Sequence, residues 1–389
     1  MKRTASLGSV LVVTSLTLAA CGGGDMSDGG GTDAGDIGPV VLDSGNRDVV
    51  TDEGGSFDAG PPPTMVADLS VGWDFACAVV DGGQVRCWGG TYGATPQVIQ
   101  GLDTAVQVAV GHSFACARRG DGSVWCWGDN FLGELGDGTH TNRMTPAPVM
   151  NVASAVSLSA GEAFACAAAM DGTVMCWGNN MHGELGNGGT TAVNAPVTVM
   201  GAAGIVSLAS ATQSTCGRTM TGTAMCWGTN TGGFLDGGSN RRTMATALTG
   251  VMGIVDIAPG DSHACVAFMT GTVSCWGFNA SGQIGDGTTI NRTPPTTALA
   301  VMGATHVAAG SNHSCSVQGD GTARCWGSDT VGQLGDAMNS NRSTPAPVTV
   351  VMGVQQLSSH AQRACARGAG ATVWCWGEGA APRPSVLAW

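Results

Sequence analysis

Residues 113–138 read SFACARRGDGSVWCWGDNFLGELGDG. Two β-prone runs, Phe114 to Ala117 and Ser123 to Trp127, flank Gly120-Asp121-Gly122. Apolar runs of this length around a glycine-containing loop form a β-hairpin. Asp121 is the midpoint between Cys116 and Cys126, so a three-residue loop sets the two cysteines opposite each other. Opposed strand residues bring their Cβ atoms close enough for a disulfide.

The same pattern occurs seven times, as Cys77/Cys87, Cys116/Cys126, Cys166/Cys176, Cys216/Cys226, Cys265/Cys275, Cys315/Cys325 and Cys365/Cys375. Nine residues separate the partners each time, and the second cysteine always opens Cys-Trp-Gly. Successive pairs start 39, 50, 50, 49, 50 and 50 residues apart, the mark of one supersecondary unit copied along a chain. Each pair reads as a disulfide within its hairpin, contributing roughly 2–3 kcal/mol. Zinc ligation and buried free thiols are the competing readings. The short Cys spacing that zinc sites favour is absent, and no regular histidine set accompanies the pairs.

Around each hairpin lie an apolar run such as Ala155 to Leu158, a glycine-punctuated loop such as Gly133 to Gly138, and a proline-bounded extended segment such as Pro146 to Val149. Four short strands in about 50 residues make one propeller blade. The expected fold is therefore all-β, a seven-bladed β-propeller spanning 65–389. Residues Met65 to Ser70 and Pro384 to Leu387 look like the two halves of one blade, which predicts that both chain ends share a sheet and close the ring.

The N-terminus has a different character. Lys2 and Arg3 precede an apolar run to Ala20, and Leu18-Ala19-Ala20-Cys21 follows. This reads as an export signal over 1–20. The Leu-Ala-Ala-Cys ending resembles the bacterial lipobox, which implies acylation at Cys21, an outer-membrane lipoprotein, and a membrane contact made through the lipid alone. Residues 21–64 read as a disordered tether. From 22 to 64, eight Asp and one Glu face one Arg, and Gly, Ser and Pro dominate. The rest of the chain carries 13 Arg against 19 acidic residues, and Lys2 is the only lysine. That balance argues against a nucleic-acid partner, and no metal or cofactor motif is present.

Gly310 and His313 ahead of Cys315, Trp127-Gly128-Asp129-Asn130, and Gly282-Gln283-Ile284-Gly285-Asp286-Gly287 together resemble the regulator of chromosome condensation repeat. The resemblance covers 65–389 and implies a seven-bladed propeller. It also implies binding through one face, since members include a small-GTPase exchange factor and a secreted β-lactamase inhibitor. Cytosolic members lack the repeated cysteine pair, a departure that fits export. Nucleotide exchange is not expected of an exported chain.

Because the copies can be compared with each other, their differences locate candidate sites. Asp137/Arg143, Asp286/Arg292, Asp336/Arg342 and Asp236/Arg242 are six apart, whereas the third copy has Asn187 and Val193. Paired gain and loss predicts an ion pair within each loop. Two residues before the first cysteine stand Phe75, Phe114, Phe164, Ser214, His263, His313 and Arg363; four before it stand Trp73, His112, Glu162, Thr212, Asp261, Ser311 and Ala361. Trp73, Phe75, His112, Phe114, Glu162 and Phe164 are thereby predicted to form an asymmetric binding sector on one face. Its expected partner is an unidentified protein, with cell-wall glycan as the alternative. A hydrolase or lyase is the remaining alternative, and His112, Glu162 and Asp261 are the polar groups it would use. No nucleophile–base motif accompanies them, and the chain is not expected to be an enzyme. Blades 1 and 7 lack the glycine-rich loop, which predicts a low sector beside Trp73. The repeated tryptophans read as packing between blades.

Peptide mapping of the exported protein without reduction is expected to recover all seven pairs, with a lipid on Cys21. Fourteen free thiols would defeat both the pairing and the export reading.

Overall fold

A computed structural model of the protein describes residues 61–389, except 234, 236, 237, 239 and 240. The expected signal segment, Cys21 and the tether as far as residue 60 lie outside these. Pro61 to Thr64 are described, and the backbone N–H groups of Thr64 and Met65 donate to the Asp81 carboxylate at 2.5 and 2.7 Å.

Seven four-stranded antiparallel sheets form, each from strands consecutive in sequence. In blade 1, β1 (Val66–Val71) pairs with β2 (Phe75–Val80), β2 with β3 (Gln84–Gly89), and β3 with β4 (Gln97–Ile99). The seven strands equivalent to β1 surround a central channel of about 380 Å³. The hairpin register sets Cys116 against Cys126, and Gly122 takes the left-handed turn position at φ 81°.

Every expected cysteine pair is bonded within its own hairpin. Cys77–Cys87, Cys116–Cys126, Cys166–Cys176 and Cys216–Cys226 close blades 1 to 4. Cys265–Cys275, Cys315–Cys325 and Cys365–Cys375 close blades 5 to 7. The Cα–Cα distances are 4.0 to 4.1 Å, as directly opposed strand residues require. Cys87, Cys126, Cys176, Cys226, Cys275 and Cys325 are at most 1% exposed, so these bonds are core elements and contribute nothing to a binding surface.

Successive blades are locked by the repeated tryptophan. The indole N–H of Trp177, Trp227, Trp326 and Trp376 donates to the backbone carbonyl of Glu134, Glu184, Gln283 and Gln333, at 2.8 to 2.9 Å. Each acceptor lies 43 residues earlier, in the glycine-rich loop of the preceding blade. The residue after the acceptor plugs the same junction: Leu135, Leu185, Ile284 and Leu334 are at most 1% exposed, as is Leu235 in blade 4. A buried asparagine pins each plug. The Oδ1 of Asn130, Asn180, Asn230 and Asn279 accepts the backbone N–H of Leu135, Leu185, Leu235 and Ile284. Asp329 does the same for Leu334. Arg143, Arg292 and Arg342 donate to Asp137, Asp286 and Asp336 at 2.5 to 2.9 Å, as the charge pattern predicts. Asp236 lies outside the described residues.

At the channel, side chains bridge the innermost strands of adjacent blades. Asp68 accepts the N–H of Val108, Gln107 that of Leu158, Ser157 that of Leu208 and Asp256 that of Val307, at 2.8 to 3.0 Å. Backbone donors that no neighbouring strand satisfies are paired in this way.

The ring does not close as the sequence suggested. Ser385–Val386 is the outer strand of blade 7 and pairs with Val373–Gly377, while β1 belongs wholly to blade 1. Among the described residues, no sheet contains strands from both ends. The repeat boundary falls before the innermost strand at each end, so the blades are complete without sharing. Side chains and one backbone hydrogen bond, from Val66 N–H to the Gly370 carbonyl at 2.9 Å, make the closure instead. Gln356 donates to Asp68 and to the Leu69 carbonyl, Ser358 accepts the N–H of Val71, and Arg367 donates to the Val66 carbonyl. Trp389 packs edge-on against Trp88, with ring centroids 6.0 Å apart.

Trp389→Ala should therefore lower unfolding stability by roughly 1–3 kcal/mol. Val386→Ala, at a side chain 65% exposed, should change little. Denaturant titration of both variants tests this, and equal midpoints would remove Trp389 from the closure.

Candidate functional site

The turn after each inner strand lies at one mouth of the channel, and backbone hydrogen bonds link these turns around the ring. His112 N–H donates to Glu162 O, Glu162 N–H to Thr212 O, and Ser311 N–H to Ala361 O, at 2.8 to 3.0 Å. The variable positions four before each first cysteine thus occupy one rim, with His112 and Glu162 adjacent. Thr212 Oγ1 donates to Asp261.

Trp73 is 40% exposed and is braced from two sides. Its ring lies 5.5 Å from that of His112 and 6.3 Å, edge-on, from that of His360. His112 sits between two carboxylates, with Nε2 3.4 Å from Asp74 and Nδ1 4.0 Å from Glu162. His360 is buried beneath Trp73, and burial holds its pKa below the ordinary histidine value. No Ser, Thr or Cys side chain forms a hydrogen bond to His112 among the described residues.

Two hollows border Asp74. One, of about 280 Å³, lies toward blade 2 between Asp74, Tyr92, His112 and Met144. The other, of about 620 Å³, lies toward blade 7 between Asp74, Trp88, Arg363 and Cys375. Both exist because blades 1 and 7 lack the long loop. Arg363 lines the larger hollow and donates to the carbonyls of Asp74 and Glu378 at 3.0 and 2.8 Å.

Phe75, Phe114 and Phe164 do not belong to the exposed sector, against the expectation from sequence. They are 4%, 1% and 0% exposed. Phe75 packs on Tyr92, ring centroids 5.2 Å apart, and reaches only the floor of the smaller hollow. The rings of Phe114 and Phe164 fold beneath the turn glycine of their own blades. A Cβ on Gly111 would lie 2.2 Å from the ring of Phe114, and one on Gly161 would lie 2.1 Å from that of Phe164. Successive side chains alternate between strand faces, so each Phe shares the buried face of the cysteine two places on. Trp73, His112 and Glu162 are brought together; the phenylalanines lie under them in the core.

His263 and His313 hold the same position as these phenylalanines. Ser314 Oγ donates to the Gln283 carbonyl, so His263 donates from Nε2 to Ser314 Oγ at 2.8 Å. Ser359 likewise donates to the Arg363 carbonyl and accepts from His313 Nε2 at 2.7 Å. Each Nδ1 is left buried without a partner among the described residues. A proton there would be charged and unpaired, so desolvation pushes the His263 pKa down to about 4 and that of His313 to about 3.

Asp74, Tyr92, His360 and Arg363 were not read from the sequence as parts of the sector. Asp74 had a signal, since the equivalent residues are Ser113, Ala163, Gln213, Ser262, Asn312 and Gln362. Tyr92 replaces a missing loop: its hydroxyl accepts the Trp127 indole N–H at 3.0 Å, where other blades offer a carbonyl. Among the described residues, no group of three or more His, Cys, Asp or Glu is placed to hold a metal ion. No helix there is long and apolar enough to cross a membrane.

The chain matches the regulator of chromosome condensation (RCC1) repeat at residues 66–91, 105–134, 155–184, 254–283 and 304–333. A second form of that repeat matches at 121–168, 171–224 and 270–317. Together they cover more than half of the chain, which belongs to the regulator of chromosome condensation repeat family. Human WBSCR16 is 17% identical, with a TM-score of 0.69 over 77% of this chain and 86% of that one. Prp20p from Saccharomyces cerevisiae, whose binding to Gsp1p and histones accompanies its structure, is 21% identical with a TM-score of 0.64 over 75% and 80%. The yeast RCC1 (Prp20) structure with Kap60 gives 17% identity and a TM-score of 0.68 over 90% and 91%. These likenesses concern the fold. No curated protein matches the sequence.

The buried histidines predict acid sensitivity. Above about pH 6.5 both rings are neutral whether the chain is folded or not. Below it the unfolded chain takes up protons that the folded chain refuses until about pH 4 for His263 and about 3 for His313. Stability therefore falls as pH drops through that window. Replacing both with Phe, the residue of blades 1 to 3, should retain roughly 2–5 kcal/mol more stability near pH 4.5 than the unaltered chain, relative to pH 7. Urea midpoints at the two pH values measure this. Parallel losses in both proteins would refute the assignment.

Proposed function

We propose that this propeller is a binding module of the bacterial cell envelope, tethered by a lipid on Cys21, which recognises a protein partner across the rim of blades 1, 2 and 7. The observation that carries this reading is Trp73. A large aromatic ring is held half-exposed in a fixed orientation by His112 and His360. Its neighbour in the same turn, Asp74, borders two hollows that a partner's side chains can enter. Rigid aromatics beside pockets are the usual energetic centres of protein interfaces. Prp20p, which shares the fold, binds the proteins Gsp1p and Kap60. The partner itself is specific to this chain, because fold alone does not transfer a partner.

Glycan recognition is the second reading. Asp74 and Glu162 lie beside the Trp73 ring through their contacts with His112, and an aromatic face beside carboxylates also suits a sugar. Guanine-nucleotide exchange is not proposed, since an exported chain meets no such GTPase.

A photoreactive residue at position 73 should capture a partner in intact envelopes, whereas one at Met170, on the opposite end of the blades, should not. Trp73→Ala should then weaken binding of the captured protein by at least ~1–2 kcal/mol with little change in melting temperature. Equal affinity, or loss of the fold, would overturn the anchor. Trp73-dependent binding on a glycan array would favour the second reading.

A further inference from the structure

Six of the seven junctions between blades are filled from the preceding blade, five by Leu or Ile and the first by Tyr92. The seventh is not. After Cys375-Trp376-Gly377, blade 7 turns through Glu378, Gly379 and Ala380 and presents no plug. What remains beside Trp88 is the cleft of about 620 Å³.

This vacancy changes the surroundings of one disulfide. Thirteen of the fourteen bonded cysteines are at most 1% exposed. Cys375 alone is half-buried, and both it and Cys365 line the cleft. Its outer cover is the two-residue strand Ser385–Val386, where blades 2 to 6 have six-residue strands. Arg363 lines the same cleft and supplies a fixed positive charge toward an arriving thiolate. Asp74 is the one carboxylate among the lining residues, and it faces His112 at 3.4 Å.

We propose that Cys365–Cys375 is a thiol–disulfide exchange site, the one disulfide of this chain that a dithiol reductant opens while the propeller stays folded. The thiolate of the dithiol attacks Cys375 Sγ. A bond forms between the reductant sulfur and Cys375 as the Cys365–Cys375 bond breaks, and Cys365 leaves as thiolate. The second thiol of the reductant then attacks the reductant sulfur of that mixed disulfide and releases Cys375. The dithiol ends as a disulfide, having lost two electrons and two protons; both cysteines end as thiols. The consequence is local. Cys365 packs with Val66, Leu69 and Trp88 in the junction that closes the ring, so exchange loosens the closure and no other seam. The remaining disulfides are sealed and open only when their blades open, which suppresses their exchange.

The test uses the full chain, oxidised, in native buffer with dithiothreitol, quenched at intervals with an alkylating reagent and mapped by mass spectrometry. Cys365 and Cys375 should be labelled at least ~10-fold faster than any other pair. Uniform labelling, or another pair opening first, would overturn the proposal. Fraying of blade 7 would give the same labelling, so amide exchange across Val373–Gly377 is measured alongside. Protected amides during reduction support access through the cleft; amides that exchange as fast as the cysteines react overturn it. The Cys365→Ser/Cys375→Ser variant should lose the fast phase and keep the fold, and a fast phase that persists counts against the assignment.

Discussion

The structure depends on one hydrogen bond repeated around the ring, from a buried tryptophan N–H to a carbonyl in the preceding blade. A blade here has apolar residues on both faces and cannot bury them alone. Its tryptophan places a large ring in the seam and also carries a donor that loses about 1–3 kcal/mol if left unpaired. The acceptor belongs to a loop that is itself fixed by a buried asparagine or by Asp329 and flanked by a Leu or Ile plug. The loop of one blade is thus an essential part of its neighbour's core. This makes the cysteine hairpin, the Asp–Arg pair and the loop glycines parts of one device for presenting a carbonyl at the right height.

Around that constraint the two terminal blades are exceptions, each compensated differently. Blade 1 has no loop long enough to offer a carbonyl, and the only tyrosine of the chain brings a hydroxyl to Trp127 instead. Blade 7 offers neither loop nor tyrosine. The final residue of the chain, Trp389, covers one edge of Trp88 there, and its own indole N–H donates to the Ala371 carbonyl at 2.6 Å. The first substitution restores the hydrogen bond across the seam. The second restores only packing, and the cleft beside Arg363 is the space left over.

Much of this was legible in the sequence because the copies repeat it. The spacing of Cys116 and Cys126 fixes a hairpin with a three-residue loop, and seven copies of about 50 residues imply seven blades. Covariation of Asp137 with Arg143, lost together at Asn187 and Val193, was enough to expect the loop ion pair. Two things were not legible. Burial of Phe75, Phe114 and Phe164 depends on how far the neighbouring blade reaches along the cysteine face: alternation puts each on that face, yet Arg363 at the same position is only half-buried. Closure was misread because Ser385–Val386 resembles an outer strand in either register of the repeat. Only the pairing with Val373–Gly377 decides that it completes blade 7. The rim was half legible: Trp73, His112 and Glu162 stand out among the copies, whereas His360 and Arg363 join them only through the fold.

Site and seam coincide for a physical reason. A junction filled by Leu135 or Leu334 has no room for a partner, because the plug and its carbonyl already satisfy everything the next blade presents. The two hollows that border Asp74 lie where a plug is shortened or missing, at the junctions on either side of blade 1, and together exceed the hollow of about 160 Å³ beside Leu235 and Trp276 at a filled junction. Those junctions are also where the propeller begins and ends, and where closure rests on side-chain contacts and one backbone hydrogen bond, Val66 N–H to the Gly370 carbonyl. A partner bound there would contact Asp74, which borders both hollows, and would cover the seam that holds blade 7 to blade 1. Binding at this place is therefore coupled to closure of the ring, since any ligand that prefers the closed seam stabilises it by mass action.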